Sequence, residues 1–249
     1  MTELTESLDR AISICARRET VFRYFTDSGR FGRWWGEGSS IEAQPGGKVF
    51  IRYPNGITAS GQVVEIEPPR RIVFTYLTGG VETLVTITLE ETKQGTLLNL
   101  HHAFTSAKIR DHFVQGWRYQ LALFSRAVAE EEQSGVAGRV DAFLRAWGEP
   151  DGKVRRTLLE SCATEGIVFR DLYSATEGLE DLLANLEAVQ VFMPGVTLAR
   201  AGDVRLSHGS AIASWAATRA NGDPAGAGIN VYDLSPNGRI ARVVGFWNG

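Results

Sequence analysis

The chain has 249 residues, with 26 Lys and Arg against 29 Asp and Glu, for a formal charge of -3. Apolar residues make up 43% and charged residues 22%, a balance that excludes disorder, collagen-like repeats and a disulfide scaffold. The charge argues against a nucleic-acid partner, because no basic field is available to attract phosphates. No apolar run reaches the roughly 18 residues of a membrane span, so we expect no contact with a membrane.

The N-terminal sequence, MTELTESLDR, has no basic start followed by an apolar stretch, so we expect no secretory signal. The two cysteines, Cys15 and Cys162, lie far apart in the chain. A cytoplasmic, reduced protein is the simplest expectation.

Short apolar runs alternate with turn residues in the first half of the chain, a pattern typical of an antiparallel sheet. Val85, Ile87 and Leu89 fall on one face of a strand, with threonines on the other. The predicted elements are short helices at residues 19–25 and 29–35 and strands at residues 11–14, 48–53, 57–67, 71–78, 82–91 and 96–103. We therefore expect a meander of strands.

A long helix follows this meander. Apolar residues recur at helical spacing from residue 106 to residue 132, at Ile109, Phe113, Trp117, Leu121, Phe124 and Val128. Such a helix can bury its stripe only by packing across the concave face of the sheet. Helix and sheet together are expected to bound a core or a cavity.

A polar, glycine-containing segment, EEEQSGVAG, divides the chain at residues 130–138. We predict a first domain at residues 1–133, a linker at 134–138 and a second domain at 139–249. The order of elements favours this division, because the second part begins with helices and ends with strands.

Helical spacing opens the second domain, at Val140, Phe143, Leu144 and Trp147. Further predicted elements are helices at residues 153–162 and 179–189 and strands at 166–171, 196–201, 207–218, 225–234 and 239–247. Helices followed by a curved antiparallel sheet form an α+β cone, whose wide end is a natural pocket. The fold class predicted for the whole chain is α+β.

A series of motifs runs through residues 8–132, namely VFRYFTD at 21–27, Trp34-Trp35, PGG at 45–47, Gly61, VEIEPPRRIVF at 64–74, Gly95-Thr96 and Gly116-Trp117. In this order the motifs resemble the Aha type of START-like, SRPBCC proteins, related to the C-terminal domain of the activator of the Hsp90 ATPase. The resemblance implies a helix-grip fold, in which a seven-stranded antiparallel sheet wraps around a long C-terminal helix. It also implies a cavity for an apolar or amphipathic small molecule, and it leaves a chaperone-associated adaptor as an alternative.

The second domain carries FRDL at 169–172, Gly178 before a helix, INVYDL at 229–234, NGRI at 237–240 and GFW at 245–247. These parts resemble the SnoaL-like, nuclear-transport-factor-2-like superfamily over nearly all of residues 137–249. The superfamily includes ketosteroid isomerases, polyketide cyclases and non-enzymatic pockets, so this fold cannot decide the function.

The sharpest enzyme hypothesis is proton abstraction next to a carbonyl. Asp171 occupies the position that matches the carboxylate base of the ketosteroid isomerases. Those isomerases also have two donors to the enolate oxygen, and at the matching positions this chain has Phe143 and Asn230. Of the two, only Asn230 can donate a hydrogen bond. Tyr232, two residues further along the same sheet face, could act as donor instead. In the plainer interpretation, Asp171 is a turn residue that pairs with Arg170 or another basic side chain. Tyr232 is then only a residue of the pocket wall.

His101 and His102 are neighbours on one strand, so at most one of them can enter the first domain's cavity. No third ligand stands at metal-binding spacing, so we predict no metal site and no cofactor. The simplest interpretation is that these histidines bond to loops at the edge of the domain.

Aromatic residues are the candidates for ligand contacts, since they supply a large apolar area with few rotatable bonds. The candidates are Trp34, Trp35, Phe74, Tyr76, Trp117 and Phe124 in the first domain and Phe143 in the second. The main prediction is a small-molecule-binding protein with an apolar cavity in each domain. The alternatives are an isomerase, cyclase or dehydratase acting on a polyketide- or steroid-like carbonyl compound and the chaperone-associated adaptor. The open sheet of the second domain could also join two copies of the chain.

Overall fold

The computed structural model describes residues 4–248, with the backbone alone at Thr78. The chain divides into two compact units, one ending at Glu132 and the other beginning at Gln133. Both units mix helices with a seven-stranded sheet, so the fold class is α+β, as predicted.

The first unit contains one sheet and three helices. Its elements are β1 (Glu6–Ile14), α1 (Arg18–Arg23), α2 (Ser28–Trp35), β2 (Ser40–Ile41), β3 (Lys48–Arg52), β4 (Thr58–Glu67), β5 (Arg71–Thr78), β6 (Val81–Thr92), β7 (Gly95–Phe104) and α3 (Ala107–Glu132). The strand order is β1-β7-β6-β5-β4-β3-β2, with antiparallel pairing throughout.

Alternating burial explains how this sheet holds the long helix α3. Val85, Ile87 and Leu89 are each at most 3% exposed, which confirms the period-two pattern of β6. On α3, Trp117 and Phe124 are equally buried against the same core. This is the predicted helix-grip architecture, in which one face of the sheet closes over one face of the helix.

The second unit begins with helices and ends with strands. Its elements are α4 (Val136–Gly148), α5 (Gly152–Cys162), β8 (Ala163–Arg170), β9 (Ala175–Glu177), α6 (Leu179–Phe192), β10 (Thr197–Arg200), β11 (Arg205–Ser207), β12 (Ser210–Thr218), β13 (Pro224–Leu234) and β14 (Ile240–Trp247). The sheet runs β10-β12-β13-β14-β8-β9, and β11 pairs with β12. Its buried face meets the helices in a separate core, which gives the predicted cone.

Some details of the second unit differ from the sequence prediction. The sheet is not wholly antiparallel, because β8 pairs with β14 in parallel, which only a long connection allows. The strand predicted at 207–218 is confirmed as β12 over Ser210–Thr218, but a turn at residues 208 and 209 separates it from β11, which the sequence did not predict. His208 and Gly209 form this turn with φ of 47° and 88°, and a His-Gly pair is not among the strong turn signals.

Helix α4 begins at Val136, inside the segment that the sequence assigns to a linker.

Within residues 4–248, no helix combines the length and apolar character needed to cross a membrane.

Candidate functional site

The second unit contains a cavity of about 350 Å³, lined by residues of α4, α6 and the sheet. Aromatic side chains form much of its wall, namely Trp147, Phe169, Trp215 and Trp247. The polar side chains that line it include Asp171, Ser174 and Asn230. Two of the three residues predicted to be catalytic therefore share one cavity.

Asp171 lies directly after β8 and is held in one orientation by three hydrogen bonds. Its Oδ1 accepts from the backbone N–H groups of Tyr173 at 2.8 Å and Ser174 at 2.7 Å. Its Oδ2 accepts from the indole N–H of Trp247 at 3.1 Å. Since a carboxylate offers about four acceptor sites, one on Oδ2 remains. Asp171 is thus both a turn residue and a cavity residue.

The neighbouring arginine does not neutralise this carboxylate. Arg170 instead pairs with Glu177, with 3.3 Å between the guanidinium Nη2 and a carboxylate oxygen. Among the described residues that line the cavity, Asp171 is the only Asp or Glu, and none is Lys or Arg. The site therefore has one carboxylate in mainly apolar surroundings.

Asn230 is 5% exposed and has a fixed amide. Its Oδ1 accepts from the indole N–H of Trp215 at 3.0 Å, and its Nδ2 donates to the hydroxyl of Tyr232 at 3.1 Å. An amide nitrogen carries two protons, so one more remains for another acceptor.

Gly245 lies between Asp171 and Asn230 and allows the two side chains to come close together. It is paired with Asn230 across β13 and β14. A Cβ at this position would lie 3.0 Å from Asn230 Oδ1 and 3.1 Å from Asp171 Cβ. The glycine therefore leaves the floor of the cavity open between the two polar groups.

Tyr232 and Phe143 lie in the core behind this cavity. Both are fully buried, and their rings meet edge to face with centroids 5.9 Å apart. Burial raises the pKa of Tyr232, so its hydroxyl stays protonated. Tyr232 connects to the cavity through Asn230.

The first unit has its own cavity of about 370 Å³, beside the N-terminal half of α3. Trp35, Tyr76 and Trp117, three of the residues for which ligand contacts are predicted, line it. The other three aromatic candidates of this unit, Trp34, Phe74 and Phe124, are at most 2% exposed in its core. Trp34, for example, packs edge-on against Phe124 with centroids 4.9 Å apart.

Sequence reasoning did not select several wall residues of the two cavities. In the first unit these include Tyr53, Phe113 and Gln120, and in the second Trp147, Phe169, Trp215 and Trp247. One signal was available for Gln120, because this polar residue lies one helical turn after Trp117 on α3. Trp215 and Trp247 could be found only from the way β12, β13 and β14 are paired.

A buried chain of hydrogen bonds stands beneath the first cavity. The indole N–H of Trp117 donates to His102 Nδ1 at 2.8 Å, which leaves the ring proton on Nε2. His102 Nε2 then donates to Thr83 Oγ1 at 2.7 Å, and that hydroxyl donates to the carbonyl of Tyr76 at 3.0 Å. Burial lowers the pKa of His102 to about 3, so the ring is neutral. The chain fixes the position of Trp117 in the cavity wall.

The adjacent His101 faces away from this cavity and pairs with Asp9 at 2.8 Å. Only one of the two histidines thus reaches the interior, as expected for neighbours on a strand. No group of three or more His, Cys, Asp or Glu side chains suited to a metal ion occurs within residues 4–248.

Fold and cavities together define a two-unit α+β protein with a helix-grip unit and a cone. Residues 15–129, less than half of the chain, match the family described as Activator of Hsp90 ATPase homolog 1-like protein. A search of curated proteins finds no match.

Three solved structures illustrate the likenesses. A SnoaL-like family protein of Agrobacterium tumefaciens with a proposed isomerase activity is 29% identical, with a TM-score of 0.43, over 48% of this chain and 99% of that one. CalU16 from Micromonospora echinospora is 28% identical, with a TM-score of 0.42, over 50% of this chain and 76% of its own. The Aha1 dimer from Colwellia psychrerythraea is 18% identical, with a TM-score of 0.41, over 47% of this chain and 91% of its own.

Proposed function

We propose that the protein binds small molecules in both units, in the two cavities lined by aromatic residues. The observation that supports this proposal is the pair of cavities, of about 350 and 370 Å³, each with few ionisable groups in its wall. Pockets of this size and lining are typical of small-ligand sites. The ligands expected from such walls are apolar or amphipathic.

Native mass spectrometry of the purified chain tests the proposal. We expect a retained small molecule, and Gly116→Leu should abolish retention in the first unit. Gly116 lines that cavity, and a Cβ there meets nothing within 4 Å, so the new side chain can fill the space without displacing the fold. The control is Gly138→Leu on α4, where the space is also open. Retention that both variants leave unchanged would contradict a first-unit site.

The second candidate function is proton abstraction next to a carbonyl in the second unit. It is supported by the acceptor site left on Asp171 Oδ2 and by the Asn230 amide beside it. The substrate class would be a polyketide- or steroid-like carbonyl compound. Asn230 would donate to the enolate oxygen, and Tyr232 would act only through Asn230. A missing second donor typically costs about 2.7–4 kcal/mol of transition-state stabilisation, so we expect modest rates.

The outer face of the second sheet supports a proposal about assembly, in which two copies of this chain pair through it. Ile212, Val231 and Val244 stand side by side across β12, β13 and β14, pointing away from the core. Phe246 follows in the next outward row beside Ile229 and is 57% exposed. An apolar face of this kind is self-complementary under a two-fold axis.

Sedimentation of the full chain tests this assembly. We expect a dimer that Val231→Lys converts into a monomer, because a charge would then be buried at the interface centre. The control is Val154→Lys, at a residue of α5 that is 44% exposed. A monomeric wild-type protein would contradict the proposal.

A chaperone-associated role remains a third prediction, based on the family match of residues 15–129. We expect a pull-down with the full chain to test it directly. Failure to recover an Hsp90 homologue would remove this alternative.

A further inference from the structure

Exposed apolar side chains border the mouth of the second unit's cavity. Tyr173 and Met193 line this cavity, yet Tyr173 is 74% exposed and Met193 36% exposed, so both reach from the wall to the surface. Their chain neighbours Leu172 and Phe192 are exposed as well, Phe192 by 82%. We call these four residues the rim. Contiguous exposed apolar side chains mark a binding surface, whereas single ones are ordinary.

The rim is held directly against the cavity wall. The backbone N–H of Tyr173 donates to Asp171 Oδ1 at 2.8 Å in the turn after β8. The ring of Tyr173 meets the ring of Trp247 edge to face, with centroids 5.2 Å apart. Because Trp247 is itself a wall residue, the apolar surface of the wall continues onto the rim.

The end of α6 places Phe192 on the side of the cavity. Val189 of this helix lines the cavity. At 3.6 residues per turn, Phe192 lies about 60° around the helix from Val189, whereas Val191 lies about 160° away. Val191 is 74% exposed, so it is similarly accessible on the opposite side of α6. The helix thus offers one rim residue and one matched residue outside the rim.

The charges around the rim restrict what can cover it. From residue 188 to residue 199 the chain has no Asp, Glu, Lys or Arg. Arg170, two residues before Leu172, pairs with Glu177. A membrane surface attracts clusters of Lys and Arg, and a protein interface has a polar border. The occupant that fits the rim best is therefore an uncharged apolar chain.

The size of the cavity explains where such a chain would come from. Its volume of about 350 Å³ is at the lower end of the range of about 300–1,000 Å³ for small-molecule pockets. At the roughly 30 Å³ that a water-sized group occupies in a liquid, the cavity holds about a dozen non-hydrogen atoms. A longer ligand must extend past Tyr173 and Met193, and the rim is the apolar surface that it meets there.

We propose that the second unit binds an amphipathic ligand whose apolar chain is longer than the cavity, and that the end of this chain lies on the rim. The polar group of the ligand stays inside, where Asp171 and Asn230 are polar residues of the wall. The rim then determines which chain length binds best. This inference rests on the proposed binding function and specifies the ligand class of the second unit.

A series of unbranched methyl ketones with about 8 to about 14 carbons, chosen to span the capacity of the cavity, tests the inference on the full chain. Binding is followed by tryptophan fluorescence. Each CH₂ group that enters the cavity should raise the affinity about 4-fold, and each one that lies on the rim about 2-fold. Ala225→Phe, at a wall residue, should weaken the binding of every ketone and so assign it to the second unit.

Two rim variants then test where the chain lies. Phe192→Ser and Leu172→Ser should each weaken the longest ketones about 3-fold or more, because only long chains reach the rim. Both variants should leave the shortest ketones unchanged, which shows that the cavity is still folded. The control is Val191→Ser, which should leave the affinity for every ketone unchanged.

The outcomes separate the inference from the proposed function. An affinity that stops rising once the cavity is full, or equal effects of Phe192→Ser and Val191→Ser, would overturn the role of the rim and leave binding in the cavity in place. Binding to phosphatidylcholine vesicles or self-association that Phe192→Ser abolishes would assign the rim to a membrane or a second copy and also overturn it. If no ketone binds in a manner sensitive to Ala225→Phe, both the chain-length preference and the second-unit binding site are overturned.

Discussion

Asp171→Asn is expected to slow proton exchange at the carbon next to the carbonyl of a bound polycyclic ketone by at least about 100-fold. The reason is that the amide cannot accept a proton at the site that Oδ2 offers in the wild type. Asparagine keeps an oxygen for the backbone N–H groups of Tyr173 and Ser174, so the turn after β8 should persist. The measurement is deuterium incorporation from solvent, followed by NMR over a panel of such ketones.

The matched control is Asp181→Asn. Asp181 also accepts a backbone hydrogen bond, from Glu177 N at 3.0 Å, but its carboxylate is not part of the cavity wall. We expect this variant to exchange at the wild-type rate. If Asp171→Asn exchanges within a few-fold of wild type, Asp171 is a turn residue and no base. If wild-type protein exchanges none of the ketones, the binding function alone remains.

The first unit should lose about 3 kcal/mol of stability when the pH falls from 7.5 to 4.5, through His102 alone. Its pKa is about 3 in the folded state, against about 6.5 when unfolded. The unfolded chain therefore binds the proton first, so this stability is fully present above pH 6.5 and is lost progressively down to about pH 3. Urea unfolding at the two pH values measures it, read through the indole N–H resonance of Trp117.

A non-titrating variant separates His102 from the carboxylates that also titrate in this range. His102→Gln can still accept from Trp117 and donate to Thr83, and it should reduce the pH dependence by about 3 kcal/mol. His101→Gln is the control, since that ring lies on the outer face with half of its side chain exposed. An equal pH dependence in wild type and His102→Gln would contradict the assignment.

Much of the fold could be predicted because its signals are periodic. The alternation of Val85, Ile87 and Leu89 and the stripe of α3 each specify one buried face. The resemblance then supplied the arrangement of the elements. The break at His208 could not be predicted in this way, because residues on both sides of the turn continue to read as strand.

The cavities were harder to predict than the fold. Trp117 and Phe124 occupy the same stripe of α3 two turns apart, and both belong to the core, yet only Trp117 also lines the cavity. Periodicity shows which face of a helix is covered, but the position of a cavity along that face depends on partners distant in sequence. Tyr232 shows the same limit, since its strand position predicts an inward direction but not the fully buried site behind Asn230.

The two indoles that orient the polar groups of the second cavity also form its wall. Trp215 holds Asn230 and Trp247 holds Asp171, and the two rings meet nearly at right angles with centroids 4.9 Å apart. A change at either tryptophan therefore alters the contour of the site and the aim of its polar atoms at once. A substitution at either tryptophan that suits a new ligand shape would therefore also disturb the orientation of Asp171 or Asn230. We expect adaptation to a new ligand to begin instead at wall residues without a polar partner, such as Ala217 or Ala225.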